Sequence, residues 1–99
     1  MPAISLRVVA RIKARAESVN EVRELLCSLV EPTRKESGCI TYELLQNRED
    51  PTDFTFVEEW ETDEALASHA ASDHLKAIGP RLQPVVLEPP DIRTYALVK

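Results

Sequence analysis

Ninety-nine residues make one domain spanning residues 1–99, because a chain of this length cannot divide its apolar residues between two independent cores. An apolar share of 43% with 29% charged residues suits a globular protein in water, and a net charge of −5 lacks the basic face that nucleic-acid binding demands. No apolar run approaches the ~18 residues of a membrane span, and Arg7 and Arg11 interrupt the N-terminal stretch, so neither membrane association nor a signal peptide is expected and the cytoplasm is the default setting.

From Ile4 to Ala14 the even positions Ile4, Leu6, Val8, Ala10, Ile12 and Ala14 are apolar while most odd ones are charged, which predicts a strand with one apolar face. Ser18-Val19-Asn20-Glu21 has the capping-box pattern that opens a helix. Val22, Leu25, Leu26, Leu29 and Val30 supply its apolar stripe, Pro32 is expected to bend its last turn, and Gly38 suits a left-handed cap. Cys39–Gln46 reads as a second strand with Ile40, Tyr42 and Leu44 on one face. After the polar turn 47–53, Phe54–Trp60 reads as the third strand, with Phe54, Phe56, Glu58 and Trp60 sharing a face. Thr62 is the expected cap of a helix whose inward residues are Ala65, Leu66, His69 and Ala70. Ser72 restarts it with Leu75, Ile78, Gly79 and Leu82, and Ile92–Val98 forms the last strand.

The order β-α-β-β-α-β is the split βαβ of ferredoxin-like domains, an α+β fold with an antiparallel sheet. Helices can cover one face of such a sheet. The other, carrying Val9, Val57 and Leu97 among charges, is left for a second copy of the chain, so a homodimer is expected. Cys27 and Cys39 show no CxxC spacing and are expected to be reduced, inertly packed thiols.

Pro32-Thr33-Arg34-Lys35-Glu36-Ser37-Gly38-Cys39, Tyr42-Glu43, Glu58-Glu59-Trp60-Glu61 and His69-Ala70-Ala71-Ser72-Asp73-His74-Leu75 form an ordered set. The set resembles the antibiotic biosynthesis monooxygenase family, whose members run approximately PTRxEPGCxxYE, FxFxExWxS and HxxSxHF. The resemblance implies a dimeric α/β barrel and, for its quinol monooxygenase members, oxidation without a cofactor. Leu75 replaces a common phenylalanine and Asp73 a common proline. Haem-degrading relatives need an asparagine on the first strand and a later histidine, and the first strand here has no asparagine while Gly79 lies near the second position.

Oxygenation without a cofactor needs an apolar slot, a proton acceptor near neutral pKa and donors for an oxyanion. Phe54, Phe56 and Trp60 are first a core face and second a slot wall. His69 and His74 are the candidate bases, with His74 placed ahead because Ser72-Asp73-His74 begins a helix. Tyr42 and Trp60 are candidate donors. Glu58 on the aromatic face needs a partner, and reads either as a structural anchor or as an acid–base group. No metal site is expected, since HxxxDH matches no zinc signature. The function expected is a cofactor-independent monooxygenase taking a small aromatic substrate and molecular oxygen. The alternatives are an isomerase of a small hydroxyketone and a non-catalytic ligand-binding barrel dimer.

Overall fold

Period-two patterning produces four strands, β1 (Leu6–Lys13), β2 (Cys39–Gln46), β3 (Asp53–Trp60) and β4 (Asp91–Ala96), in the computed structural model, which describes residues 6–99. Ile4 and Ser5 of the expected first strand lie outside the described residues. The strands form one antiparallel sheet ordered β2-β3-β1-β4, the ferredoxin-like arrangement, with β1 and β3 in the middle. The register sets Val8 opposite Glu58, Ala10 opposite Phe56 and Ile12 opposite Phe54, so the even-numbered side chains of both central strands share a face. That face is buried under the helices, with Val8, Ile12, Phe54, Phe56 and Trp60 each at most 3% exposed. Burial of each such side chain contributes about 1.5–3 kcal/mol.

The first helical region departs from a single bent helix. A short 3-10 turn (Ala16–Ser18) leads into α1 (Val19–Cys27), and α2 (Val30–Arg34) follows after a break. Ser18 makes no side-chain cap bond, so the expected capping box does not form. Pro32 falls in the first turn of α2, where its missing N–H costs little. Its ring would instead clash with the carbonyl four residues earlier, at Ser28, and that is where the helix breaks. Ser28 Oγ donates to the Leu25 carbonyl at 2.6 Å and closes the end of α1.

Strand β2 contains a register shift between Cys39 and Thr41, an extra residue that turns Ile40 out to 49% exposure. Ile40 therefore does not share the face of Tyr42 and Leu44. Strand β4 ends at Ala96, short of the expected Val98. Thr62 caps α3 (Asp63–Ala70) as expected, its Oγ1 accepting from the Ala65 N–H at 3.0 Å. The chain restarts at Ser72 into α4 (Asp73–Leu82). No helix of the described residues is long and apolar enough to cross a membrane.

Gly38 joins α2 to β2 with φ of 86°, and a Cβ there would lie 2.5 Å from Ala65 Cβ. Only glycine lets this loop approach α3 so closely. The Gly38 carbonyl also accepts from the Glu61 N–H at 2.9 Å. Gly38→Ala is expected to lower stability by roughly 1–3 kcal/mol in urea melts. Gly79→Ala adds a methyl that meets nothing within 4 Å and is expected to leave stability unchanged or raise it by up to about 1 kcal/mol. Equal destabilisation of the two variants would contradict this account of the loop.

Candidate functional site

Ala10 on β1, Ala70 on α3 and Gly79 on α4 all face a cavity of about 360 Å³ between the sheet and the helices. Val8, Ile12, Leu26, Leu29, Ile78 and Leu82 supply most of its apolar wall, and exposed Pro90 and Ile92 stand at its mouth. Four side chains at its inner end carry chemistry: Tyr42, Phe56, Glu58 and His69. The Tyr42 and Phe56 rings stack at 4.7 Å, while the His69 ring lies edge-on to Tyr42 at 5.4 Å and tilted against Trp60 at 4.8 Å.

Glu58 is buried on the aromatic face, and the residue two positions along the same strand is its partner. Trp60 Nε1–H donates to Glu58 Oε1 at 2.8 Å. Burial still pushes the Glu58 carboxyl pKa up, against the opposing effects of the Trp60 bond and of His69. Burial and then the nearby Glu58 charge push the Tyr42 hydroxyl up as well, so it stays a phenol and a donor. Burial and the charges of Glu36 and Glu58 raise the Cys39 thiol, which therefore stays protonated and unreactive.

His69 sits in the last turn of α3 and His74 in the first turn of α4, and Glu36 from the loop after α2 joins them. Its Oε2 lies 2.8 Å from His69 Nδ1 and 2.6 Å from His74 Nε2. An ionised carboxylate can only accept, so both rings donate to the same oxygen. His69 Nδ1–H is thereby committed, and Nε2 is left as the ring nitrogen free to accept a proton. The three residues, 33 and 38 positions apart in sequence, place their ligand-type atoms within 4.8 Å of one another. They are the described residues with the donor types to hold a metal ion.

The cavity thus gathers Tyr42, Phe56, Glu58 and His69 from the residues singled out in the sequence. Phe54 and Trp60 are fully buried and do not line it. His74 does not line it either and meets the site through Glu36, so the two histidines stand to the cavity in the reverse of their expected order. The sequence places Glu36 in the ordered set of motifs and assigns it no role. Its one signal was membership of the ProThrArgLysGlu run, since nothing in its spacing points to residues so far along the chain.

A family model described as antibiotic biosynthesis monooxygenase matches residues 5–81. A conserved protein from Methanosarcina mazei Go1 has a crystal structure similar to this chain, with a TM-score of 0.87 and 39% identity, covering 94% of this chain and 92% of that one. A crystal structure described as an antibiotic biosynthesis monooxygenase matches with a TM-score of 0.89 and 31% identity over 95% of this chain and 99% of the other. The protein named "Putative monooxygenase Rv0793" from Mycobacterium tuberculosis is 33% identical over 67 residues, 68% of this chain. The chain spans 63–65% of the length of the curated relatives it matches.

The raised Glu58 pKa carries a stability consequence of definite sign. A carboxyl whose folded pKa lies above its unfolded value costs stability as pH rises through that interval. Glu58→Gln keeps an oxygen to accept from Trp60 and removes the charge. Its stability relative to the wild type is therefore expected to increase as pH rises above the unfolded carboxyl's range near about pH 4, measured by thermal melts of both proteins. A difference that stays flat with pH would show that burial does not strain this carboxylate.

Proposed function

The chain belongs to the antibiotic biosynthesis monooxygenase family, and on that footing we propose that it is a cofactor-independent monooxygenase oxidising a quinol-like or polycyclic phenolic molecule with molecular oxygen. The observation that carries the reading is an apolar cavity ending on a histidine whose Nδ1 already donates to a carboxylate. A volume of about 360 Å³ falls within the range of small-molecule sites and suits a substrate of a few fused rings.

Triplet oxygen reacts slowly with closed-shell molecules, so the substrate must first become an electron-rich anion. The phenolic O–H bond breaks as an N–H bond forms at His69 Nε2, and Glu36 stabilises the imidazolium through Nδ1–H. Tyr42, kept in its phenol form, is a donor for the substrate oxyanion. The anion passes one electron to oxygen, and the resulting radical pair closes a C–O bond to give a peroxide. The peroxide takes the proton back from His69, and its O–O bond breaks as the carbon that bears it loses its own hydrogen, leaving a carbonyl and one water. The substrate loses two hydrogens and gains one oxygen atom, and the second oxygen atom leaves in the water.

A second copy of the chain is part of the proposal. The sheet face away from the helices carries Val9, Val57, Leu45 and Tyr95, the last two 50% and 48% exposed, beside the Arg7–Glu59 pair at 3.6 Å. Two such faces packed together would remove that apolar surface from water. Light scattering is expected to give about twice the 11.1 kDa chain mass, and Val57→Arg to return it to one chain.

Oxygen uptake with a panel of reduced quinones and anthrones tests the reaction. His69→Ala is expected to lower kcat by roughly 10²–10⁴, Glu36→Gln by less, and His74→Ala least of the three. An inactive wild type, or undiminished uptake in His69→Ala, would sink the assignment. Turnover that continues without oxygen would favour a proton-transfer isomerase in the same cavity.

A further inference from the structure

The proposed reaction uses one ring nitrogen of His69, yet the structure invests a carboxylate and a second histidine on its other side. We infer that Glu36, His69 and His74 form a binding site for a divalent transition-metal ion of the zinc class, and that an ion there switches off the base in the cavity. The binding site stands on its own geometry; the switch rests on the oxygenase reading.

Two imidazole nitrogens and one carboxylate oxygen are a donor set that favours Zn²⁺, Co²⁺ or Ni²⁺ over Mg²⁺ and Ca²⁺, which take oxygen shells. All three donor atoms already lie within 4.8 Å of one another. Ligand atoms around a tetrahedral ion at 2.0–2.1 Å stand roughly 3.3 Å apart. The 2.8 Å and 2.6 Å spacings at Glu36 Oε2 are those of N–H···O hydrogen bonds. An ion in place of the two bonded protons, which move to the far nitrogens of the rings, opens these two spacings by roughly half an ångström and draws the two ring nitrogens to the same separation, which side-chain rotation can supply. The backbone under the site is tied down: the Ser72 N–H donates to the His69 carbonyl at 3.0 Å, joining α3 to α4.

The site is reachable from water without passing through the cavity. An open polar hollow of about 410 Å³, lined by Glu36, Ser68, Ser72 and Asp73, abuts it. Ser72, which lines this hollow, has a buried Oγ with no hydrogen-bond partner.

An ion on His69 Nδ1 occupies the lone pair of that nitrogen, so the single proton of the neutral ring must sit on Nε2. Nε2 then donates and can no longer accept the phenolic proton. The base is lost while the cavity keeps its shape.

Metal-free protein titrated with Zn²⁺ by calorimetry and with Co²⁺ by visible absorption tests the site without any substrate. Thermal melts confirm that each variant is folded. The wild type is expected to bind one ion per chain, with the intense Co²⁺ bands of a low-coordinate site. Glu36→Gln and His74→Ala are each expected to bind more than about tenfold more weakly. Absence of saturable binding in the wild type, or wild-type affinity in both variants, overturns the site. Given a substrate that turns over, saturating Zn²⁺ is expected to stop oxygen uptake and a chelator to restore it. Full activity with the ion bound would overturn the switch and leave the binding site intact.

Discussion

The even-numbered side chains of β1 and β3 all point under the helices, and the rest of the molecule follows from this one-sided burial. A pleated strand cannot choose its faces residue by residue, so the parity that buries Phe54, Phe56 and Trp60 must also bury Glu58. The carboxyl is tolerated because Trp60, on the same face two residues on, turns its indole N–H to it. The opposite parity puts Val9, Val57 and Leu45 on the face away from the helices of the described residues.

The cavity is a packing consequence of the same layer. Ala10 lies buried under the helices, while Ala70 and Gly79 are exposed positions of α3 and α4 that also line the cavity. Its wall is almost wholly apolar, so the few polar atoms at its inner end act in a medium that screens them little. That setting explains why Glu58 and Tyr42 both resist ionisation. It also makes His69 distinctive: of the two histidines, it is the one facing the cavity, and its charge would be compensated from behind by Glu36.

The strands and the helix–strand order were legible because burial on one face writes a period-two or three-and-four pattern into the chain. Thr62 was legible as a cap because it answers a local backbone need; Gly38 takes the expected left-handed conformation, but α2 ends at Arg34 with Lys35 at its cap, so the glycine turns the loop before β2 instead. Ser18 and Ile40 were not legible. A preceding 3-10 turn takes the place of the cap at Ser18, and one extra residue in β2 reverses the face of Ile40. Pro32 announced a disturbance, but where a bend in the last turn is expected the helix breaks four residues upstream, at Ser28, and keeps the proline in the first turn of α2.

The family resemblance carried by Pro32–Leu75 and the residue types of the site were readable in one dimension. Which histidine faces the cavity was not, because both lie near the junction of α3 and α4 and only the direction of each helix separates them. Glu36 was the largest gap. Its partners lie 33 and 38 residues away, joined to it by the close approach of the Gly38 loop to α3. Local pattern determines elements and faces, since those answer to neighbours in sequence. The shared carboxylate and the cavity are decided by how separate elements pack, and only the folded chain specifies that.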